Sequence, residues 1–265
     1  MNLLHSLRAL KGIMGRELLR FIHQRERFIS ALVRPLMWLF IFAAGFRSTL
    51  GVAIIPPYET YILYEVYITP GLLGMVQLFN GMQSSLSMVY DREMGSMKTL
   101  LITPLPRSFL LTAKLLAGVL VSILQAYVFL AIAWLYGIEA PLMGYVLVFP
   151  ALLLSGLMLG SLGLLLSSFI KQLENFAGVM NFVIFPMFFL STALYPLWRI
   201  QESSLVLFRI SELNPFTYAV ELIRFALYGQ FNPTAAWVTA GATLFFLGLA
   251  IIGYQPSRAS MARRG

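Results

Sequence analysis

Residues 66–88, VYITPGLLGMVQLFNGMQSSLSM, carry no charge and are followed almost at once by residues 90–107, YDREMGSMKTLLITPLPR, which combine charges with glycine and proline. The first stretch exceeds the roughly 20 residues that cross a bilayer as a helix. The charges of the second are costly in hydrocarbon, so it lies outside the bilayer. This alternation predicts a membrane-spanning helix followed by an exposed loop.

Composition extends this prediction to the whole chain. Of the 265 residues, 59% are hydrophobic and 11% are charged, and the mean hydropathy is +0.80. Soluble domains are roughly 45–50% apolar and about 25% charged. We therefore expect one all-α integral membrane domain over residues 1–265, with an interface helix within 1–30, a membrane region at 31–254 and a basic tail at 255–265.

Apolar stretches of spanning length recur along the chain. They predict six membrane-spanning helices, at residues 31–47, 66–88, 109–136, 144–169, 175–195 and 234–254. The fourth contains Gly156 and Gly160, a pair of small residues four positions apart. Such a pair lets two helix backbones approach closely.

The N-terminal region predicts an amphipathic helix over residues 5–28. At 100° per residue its apolar side chains share one face, and Arg16, Arg20 and Arg27 lie opposite. A helix of this kind lies in the membrane interface. The alternative is a solvated helix packed on its own protein, because Lys11 and Arg25 interrupt the apolar face.

Residues 195–232 are apolar but carry six charges, too many for a seventh span. We expect broken external helices here, two amphipathic elements dipping from the surface. The predicted breaks are at Pro196 and at Asn214-Pro215, because proline disfavours helix in the residue before it and starts a new helix well. Glu221 and Arg224 stand three residues apart, so they can neutralise each other if buried.

Charge distribution orients these spans. All but four of the 19 Lys and Arg residues fall on the side of the N-terminus, the exceptions being Arg47, Arg199, Arg209 and Arg224. The positive-inside rule then predicts that both termini and residues 90–107 are cytoplasmic. It also accounts for the net charge of +8 without nucleic-acid binding.

Motifs for catalysis or metal binding are missing from the sequence. It has no cysteine, no phosphate-binding glycine-lysine loop, no zinc-protease motif and only two histidines, so we expect no metal site and no enzyme. The spans hold no group of carboxylates like those of ion-coupled carriers. A transport function then requires a partner that supplies energy.

A polar stripe on the second span has two interpretations. Gln77, Asn80, Gln83 and Ser84 could line a substrate path, or they could serve helix packing, since polar groups avoid lipid by either route.

The charged loop resembles that of a known family. Asp91-Arg92-Glu93, Gly95, Leu100-Leu101, Thr103-Pro104 and Arg107 closely resemble the cytoplasmic loop of type-2 ABC-transporter permeases, the membrane subunits of ATP-driven exporters. The resemblance extends to the N-terminal helix, the six spans and Asn214-Pro215-Phe216. In that family the loop holds a coupling helix that docks on the ATPase subunit. The resemblance implies this role for Asp91, Arg92, Glu93, Gly95, Ser96, Lys98, Thr103, Pro104 and Arg107. Ser96, Met97 and Lys98 stand where the family commonly has an acidic residue, so the partner's facing charge can differ.

The resemblance also implies partners and location. It predicts a permease of a bacterial-type inner membrane, in contact with membrane lipid. The permease would work as a homodimer, or as a heterodimer with a related permease, with ABC ATPase subunits that bind ATP and Mg. Family members export drugs, lipid-linked polysaccharides or nodulation-type oligosaccharides. Two alternatives stay open: a secondary transporter or channel, and a membrane-embedded transferase. The transferase is disfavoured because Asp91 and Glu93, two residues apart, do not share a helix face.

Overall fold

The computed structural model describes residues 10–15, 19, 25–46, 55–93, 106–170 and 172–254. Residues 10–15 are helical. The longer helices in the described ranges are α1 (Arg25–Phe46), α2 (Tyr64–Glu93), α3 (Arg107–Leu135), α4 (Leu142–Phe169), α5 (Leu173–Phe189), α6 (Leu197–Ser203), α7 (Leu205–Leu213), α8 (Pro215–Leu227) and α9 (Pro233–Gly253).

Proline determines where most of these helices begin. Pro106, Pro141 and Pro196 directly precede α3, α4 and α6, and Pro215 and Pro233 are the first residues of α8 and α9. Proline suits these positions because its fixed φ matches the helix and its missing N–H has no partner in the first turn. The helix starts can therefore be read from the sequence.

Contacts between helix ends give the bundle two distinct ends. At one end Glu93 of α2 contacts Leu173 of α5, and the Ser167 hydroxyl of α4 lies 2.7 Å from the Tyr254 hydroxyl after α9. We call this the loop end, because α2 ends here at Glu93. At the other end, the far end, Gly144 of α4 packs against the last residue of α8.

The centre of the bundle is the contact between α2 and α4, which depends on glycine. A Cβ atom added to Gly81 of α2 would lie 2.8 Å from the Leu159 carbonyl carbon of α4, closer than real Cβ atoms approach. Gly160 faces Leu115 of α3, and Gly156 faces Gln77 of α2. The close packing predicted for Gly156 and Gly160 is confirmed, and it brings α2, α3 and α4 together.

Three of the described helices are long and apolar enough to cross a membrane: 108–135 within α3, 142–169 in α4 and 233–253 in α9. They correspond to the predicted spans at 109–136, 144–169 and 234–254. α1 and α5 contain shorter apolar stretches, and the polar stripe lowers the hydropathy of the 30-residue α2. The secondary-structure elements of the described residues are thus all helices, as predicted.

Two boundaries differ from the predictions. The fifth span was expected to reach residue 195, but α5 ends at Phe189. The Asn214 side chain donates to the carbonyls of Met187 and Leu190 at 2.8 and 2.6 Å, which satisfies two of the orphan acceptors at a helix end. Residues 197–227 form three helices where two elements were expected, because Ser204 accepts from the Leu207 N–H and starts α7.

Candidate functional site: the loop end and the broken helices

The predicted coupling loop is described only at its margins. Asp91, Arg92 and Glu93 are the last residues of α2, and Arg107 is the first of α3. Gly95, Ser96, Lys98, Thr103 and Pro104 lie outside the described residues, as do the side chains of Asp91, Arg92 and Arg107.

Glu93 connects the start of this loop to α5. Its side chain is exposed, and one carboxylate oxygen accepts a hydrogen bond of 3.2 Å from the Leu173 N–H. Leu173 is the first residue of α5, so the negative charge lies at the positive end of the helix dipole. The sequence analysis predicted only a contact between Glu93 and an ATPase partner. The hydrogen bond between Glu93 and Leu173 joins residues 80 positions apart, so no local sequence pattern could have predicted it.

Most of the predicted interface helix at residues 5–28 lies outside the residues that the structure describes. Arg16 and Arg20 are outside the described residues, and Arg27 is described in its backbone alone. Arg27 belongs to α1, which runs without interruption from Arg25 into the first predicted span. The interface role of the three arginines stays a prediction.

Two residues of the polar stripe make hydrogen bonds between helices. The buried Gln77 amide donates to the Leu152 carbonyl of α4 at 3.3 Å and accepts from the Ser122 hydroxyl of α3 at 2.5 Å. Asn80 donates to the Gln125 side chain of α3. These bonds give Gln77 and Asn80 a packing role inside the bundle.

The rest of the stripe has different surroundings. Ser84 donates to the Gly81 carbonyl of its own helix at 3.0 Å. Gln83 borders a cavity of about 170 Å³ between α1, α2 and α5, together with Asn181 and Arg34. The Arg34 guanidinium carbon lies 3.8 Å from the centre of the Phe79 ring. A substrate path along this stripe stays a prediction, and Gln83 is the residue of the stripe that lines this cavity.

The helix break at Asn214-Pro215 is built by the asparagine. Its side-chain oxygen accepts from the Phe216 N–H at 3.0 Å, while its amide group donates to the end of α5. Pro215 then occupies the first position of α8. Asn214 therefore ties the end of α5 to the start of α8, and the break predicted here is confirmed.

Arg224 is the most deeply buried charge of α8, with a side chain 2% exposed. It pairs with Glu221, as the spacing predicted, and donates to the Thr192 carbonyl at 2.7 Å. Its guanidinium carbon lies 4.2 Å from the Tyr67 ring centre, and the Tyr67 hydroxyl donates to the same Thr192 carbonyl at 3.1 Å. Arg224 thus joins α8 to α2 and to the turn after α5.

Tyr58, from the segment before α2, packs next to the group formed by Arg224, Tyr67 and Thr192. The Tyr58 ring lies 6.4 Å from that of Tyr67 and 4.7 Å from that of Tyr228. Burial raises the pKa of Tyr58 to about 12, and the nearby Arg224 charge partly offsets that rise. Burial also raises the pKa of Tyr228. Both phenols are therefore neutral at physiological pH.

Long apolar helices packed through glycines and inter-helix amides define a multi-pass membrane protein. Residues 8–228 match the ABC-2 type transporter family. This match covers most of the chain, which belongs to that family.

Relatives support the same class. The chain is 33% identical over 218 residues to the putative transport permease ycf38 of Cyanophora paradoxa, covering 77% of this chain and 70% of the relative. It is 27% identical to the ycf38 protein of Pyropia yezoensis, covering 86% and 77%. It is also 29% identical to the probable multidrug ABC transporter permease YbhR of Escherichia coli K12, covering 63% of this chain and 45% of the relative. The chain is the membrane subunit of an ABC transporter rather than an enzyme.

Proposed function

We propose that this protein is the permease of an ABC exporter, driven by ATP hydrolysis on a separate ATPase subunit. It crosses the membrane six times, through α1, α2, α3, α4, α5 and α9, with both termini in the cytoplasm of a bacterial-type inner membrane. Two permeases, identical or related, assemble with two ATPase subunits that hold ATP and Mg.

The observation that supports coupling is a chain of contacts from the loop end to the far end. Glu93, at the margin of the coupling loop, bonds to the first residue of α5. The last carbonyls of α5 bond to Asn214, which caps α8. α8 in turn is held by Arg224 against Thr192 and Tyr67.

These contacts give a displaced loop a mechanical route to α8. ATP binding closes the ATPase subunits, the loop at 91–107 moves with them, and α5 transmits the shift to the broken helices. The nucleotide state then biases two arrangements of the membrane domain. Substrate passes along the side of α2 where Gln83 borders the cavity and is then released outward.

The test is partner-stimulated ATP hydrolysis in a reconstituted complex of permease and ATPase. We expect Glu93→Arg and Gly95→Pro to reduce hydrolysis to the level of the ATPase alone, with the permease still inserted. Glu93→Gln retains an acceptor for the Leu173 N–H and should retain part of the stimulation. Glu139→Arg is the matched control, since Glu139 is also exposed but lies in the turn at the far end. Full stimulation in both Glu93→Arg and Gly95→Pro would refute the coupling role.

Orientation has its own test, because the chain contains no cysteine. Single cysteines at Lys98 and Glu139 are offered to a membrane-impermeant maleimide on intact cells. We expect labelling at position 139 and protection at position 98 until the cells are opened. The reverse pattern would place the loop outside and contradict the proposal.

A further inference from the structure

A groove lined by both polar and apolar side chains lies at the far end of the bundle. It has a volume of about 590 Å³ and is formed by the end of α5, the turn after it, α6 and α7. Its lining includes Tyr195, Trp198, Arg199, Glu202 and Ser211. The groove thus offers a cation, an anion and two aromatic rings to one ligand.

Arg199 and Glu202 in the groove do not form an ion pair with each other, unlike the equally spaced pairs of α7 and α8. Arg209 and Glu212 of α7 have the same three-residue spacing and form an ion pair of 2.8 Å, and the pair of α8 is also closed. Arg199 and Glu202 of α6 border the groove without an ion pair to each other or to another described residue. At this spacing the side chains are neighbours on the helix. The Arg199 guanidinium carbon lies 5.4 Å from the centre of the Trp198 ring, a contact that leaves its charge without an anionic partner among the described residues.

The surroundings of the groove suit a lipid. Tyr195 and Trp198 are 38% and 37% exposed, and such rings both favour the membrane interface and attract ammonium groups. The neighbouring α7 exposes Leu205 and Leu213 by 67% and 83%. Apolar side chains this exposed on a helix that borders the groove match an acyl chain next to a bound headgroup.

We propose that this groove binds the zwitterionic headgroup of a phospholipid. Arg199, whose guanidinium group lies near the Trp198 ring, holds the phosphate, and Glu202 holds the ammonium group beside Tyr195. A purely anionic headgroup would meet Glu202 as a like charge, so the open pair selects a ligand that carries both charges. Lipid binding goes beyond the transport role and needs no ATPase subunit.

The test measures lipid retained on the purified full-length protein by native mass spectrometry. The probes are dioleoyl phosphatidylethanolamine, dioleoyl phosphatidylglycerol and dioleoylglycerol, which differ only in the headgroup. We expect the wild-type protein to retain phosphatidylethanolamine about tenfold better than phosphatidylglycerol, as one charge-assisted hydrogen bond implies. Dioleoylglycerol should bind weakest.

Two substitutions test the contributions of the two charges separately. Glu202→Gln should equalise the two phospholipids, because the ammonium partner is lost, and Arg199→Gln should reduce both about tenfold. The control is Arg209→Gln, which changes an equally spaced but closed pair outside the groove and should leave retention unchanged. Unchanged selectivity in Glu202→Gln, or an equal loss in Arg209→Gln, would overturn the proposal.

The source of the headgroup is tested by competition with soluble phosphoethanolamine. We expect that phosphoethanolamine at the same concentration as the phospholipid displaces none of it, because a lipid also contacts the apolar side of α7. Displacement would assign the groove to a free zwitterion and overturn its assignment to a lipid.

Discussion

Replacing Arg224 by methionine removes the charge that joins α8 to the rest of the bundle. The substitution breaks the pair with Glu221, the bond to the Thr192 carbonyl and the contact with the Tyr67 ring. Methionine fills most of the volume, so the loss is mainly electrostatic. The Thr192 carbonyl is not orphaned, because it still accepts from the Tyr67 hydroxyl.

The magnitude follows from the charge left behind. Removing one partner of a buried ion pair costs about 3–5 kcal/mol. The Glu221 side chain is 20% exposed and can reach solvent, so we expect the lower end, a loss of about 3 kcal/mol in the free energy of unfolding. The double variant Arg224→Met, Glu221→Leu removes the stranded carboxylate and should recover to within about 1 kcal/mol of the wild type.

The assay is unfolding by sodium dodecyl sulfate in mixed micelles, followed by far-ultraviolet circular dichroism. Arg209→Met is the matched control, since its pair with Glu212 has side chains 73% and 42% exposed. Exposed pairs contribute about 0–1 kcal/mol, so this change should be nearly silent. A loss for Arg224→Met no larger than that for Arg209→Met would refute the reasoning.

Two further predictions concern the same end of the molecule. Asn214→Ala should lower the free energy of unfolding by about 2 kcal/mol, because it removes the cap of α8 and two hydrogen bonds to the end of α5. Asn232→Ala removes only the cap of α9 and should lower it by about 1 kcal/mol. The micelle assay measures both variants, and equal losses would contradict the tie between α5 and α8. The raised pKa of Tyr58 favours its neutral form in the folded protein, so the contribution of Tyr58 to the free energy of unfolding should be constant below pH 10 and fall as the pH rises towards 12. Tyr58→Phe should reduce this alkaline loss without abolishing it, because burial also raises the pKa of Tyr228; an unchanged pH profile would contradict the assignment.

Much of the fold could be predicted because its signals are local. Prolines mark the starts of five helices, and the three-residue spacing of Glu221 and Arg224 predicts their ion pair. The packing of Gly156 and Gly160 follows from their spacing in an apolar helix. Each of these features depends on residues within one or two helical turns.

The contacts that escaped prediction are distant in sequence. Asn214 caps the end of α5 by donating to the carbonyls of Met187 and Leu190, which precede it by 27 and 24 residues. Thr192 and Tyr67 meet Arg224 from two other segments, and Glu93 meets Leu173 across 80 residues. A single sequence shows that these polar groups need partners, but only the packed bundle determines which partners they find.

The early end of α5 has a consequence for the surrounding lipid. A 17-residue helix rises about 25 Å, roughly 5 Å less than the hydrocarbon thickness of a typical bilayer. Hydrophobic mismatch of this sign is relieved when the bilayer thins next to the short helix. In the six-span arrangement proposed above, the bilayer beside α6 and α7 is then thinner than its surroundings, which shortens the distance that a polar molecule must travel to reach water.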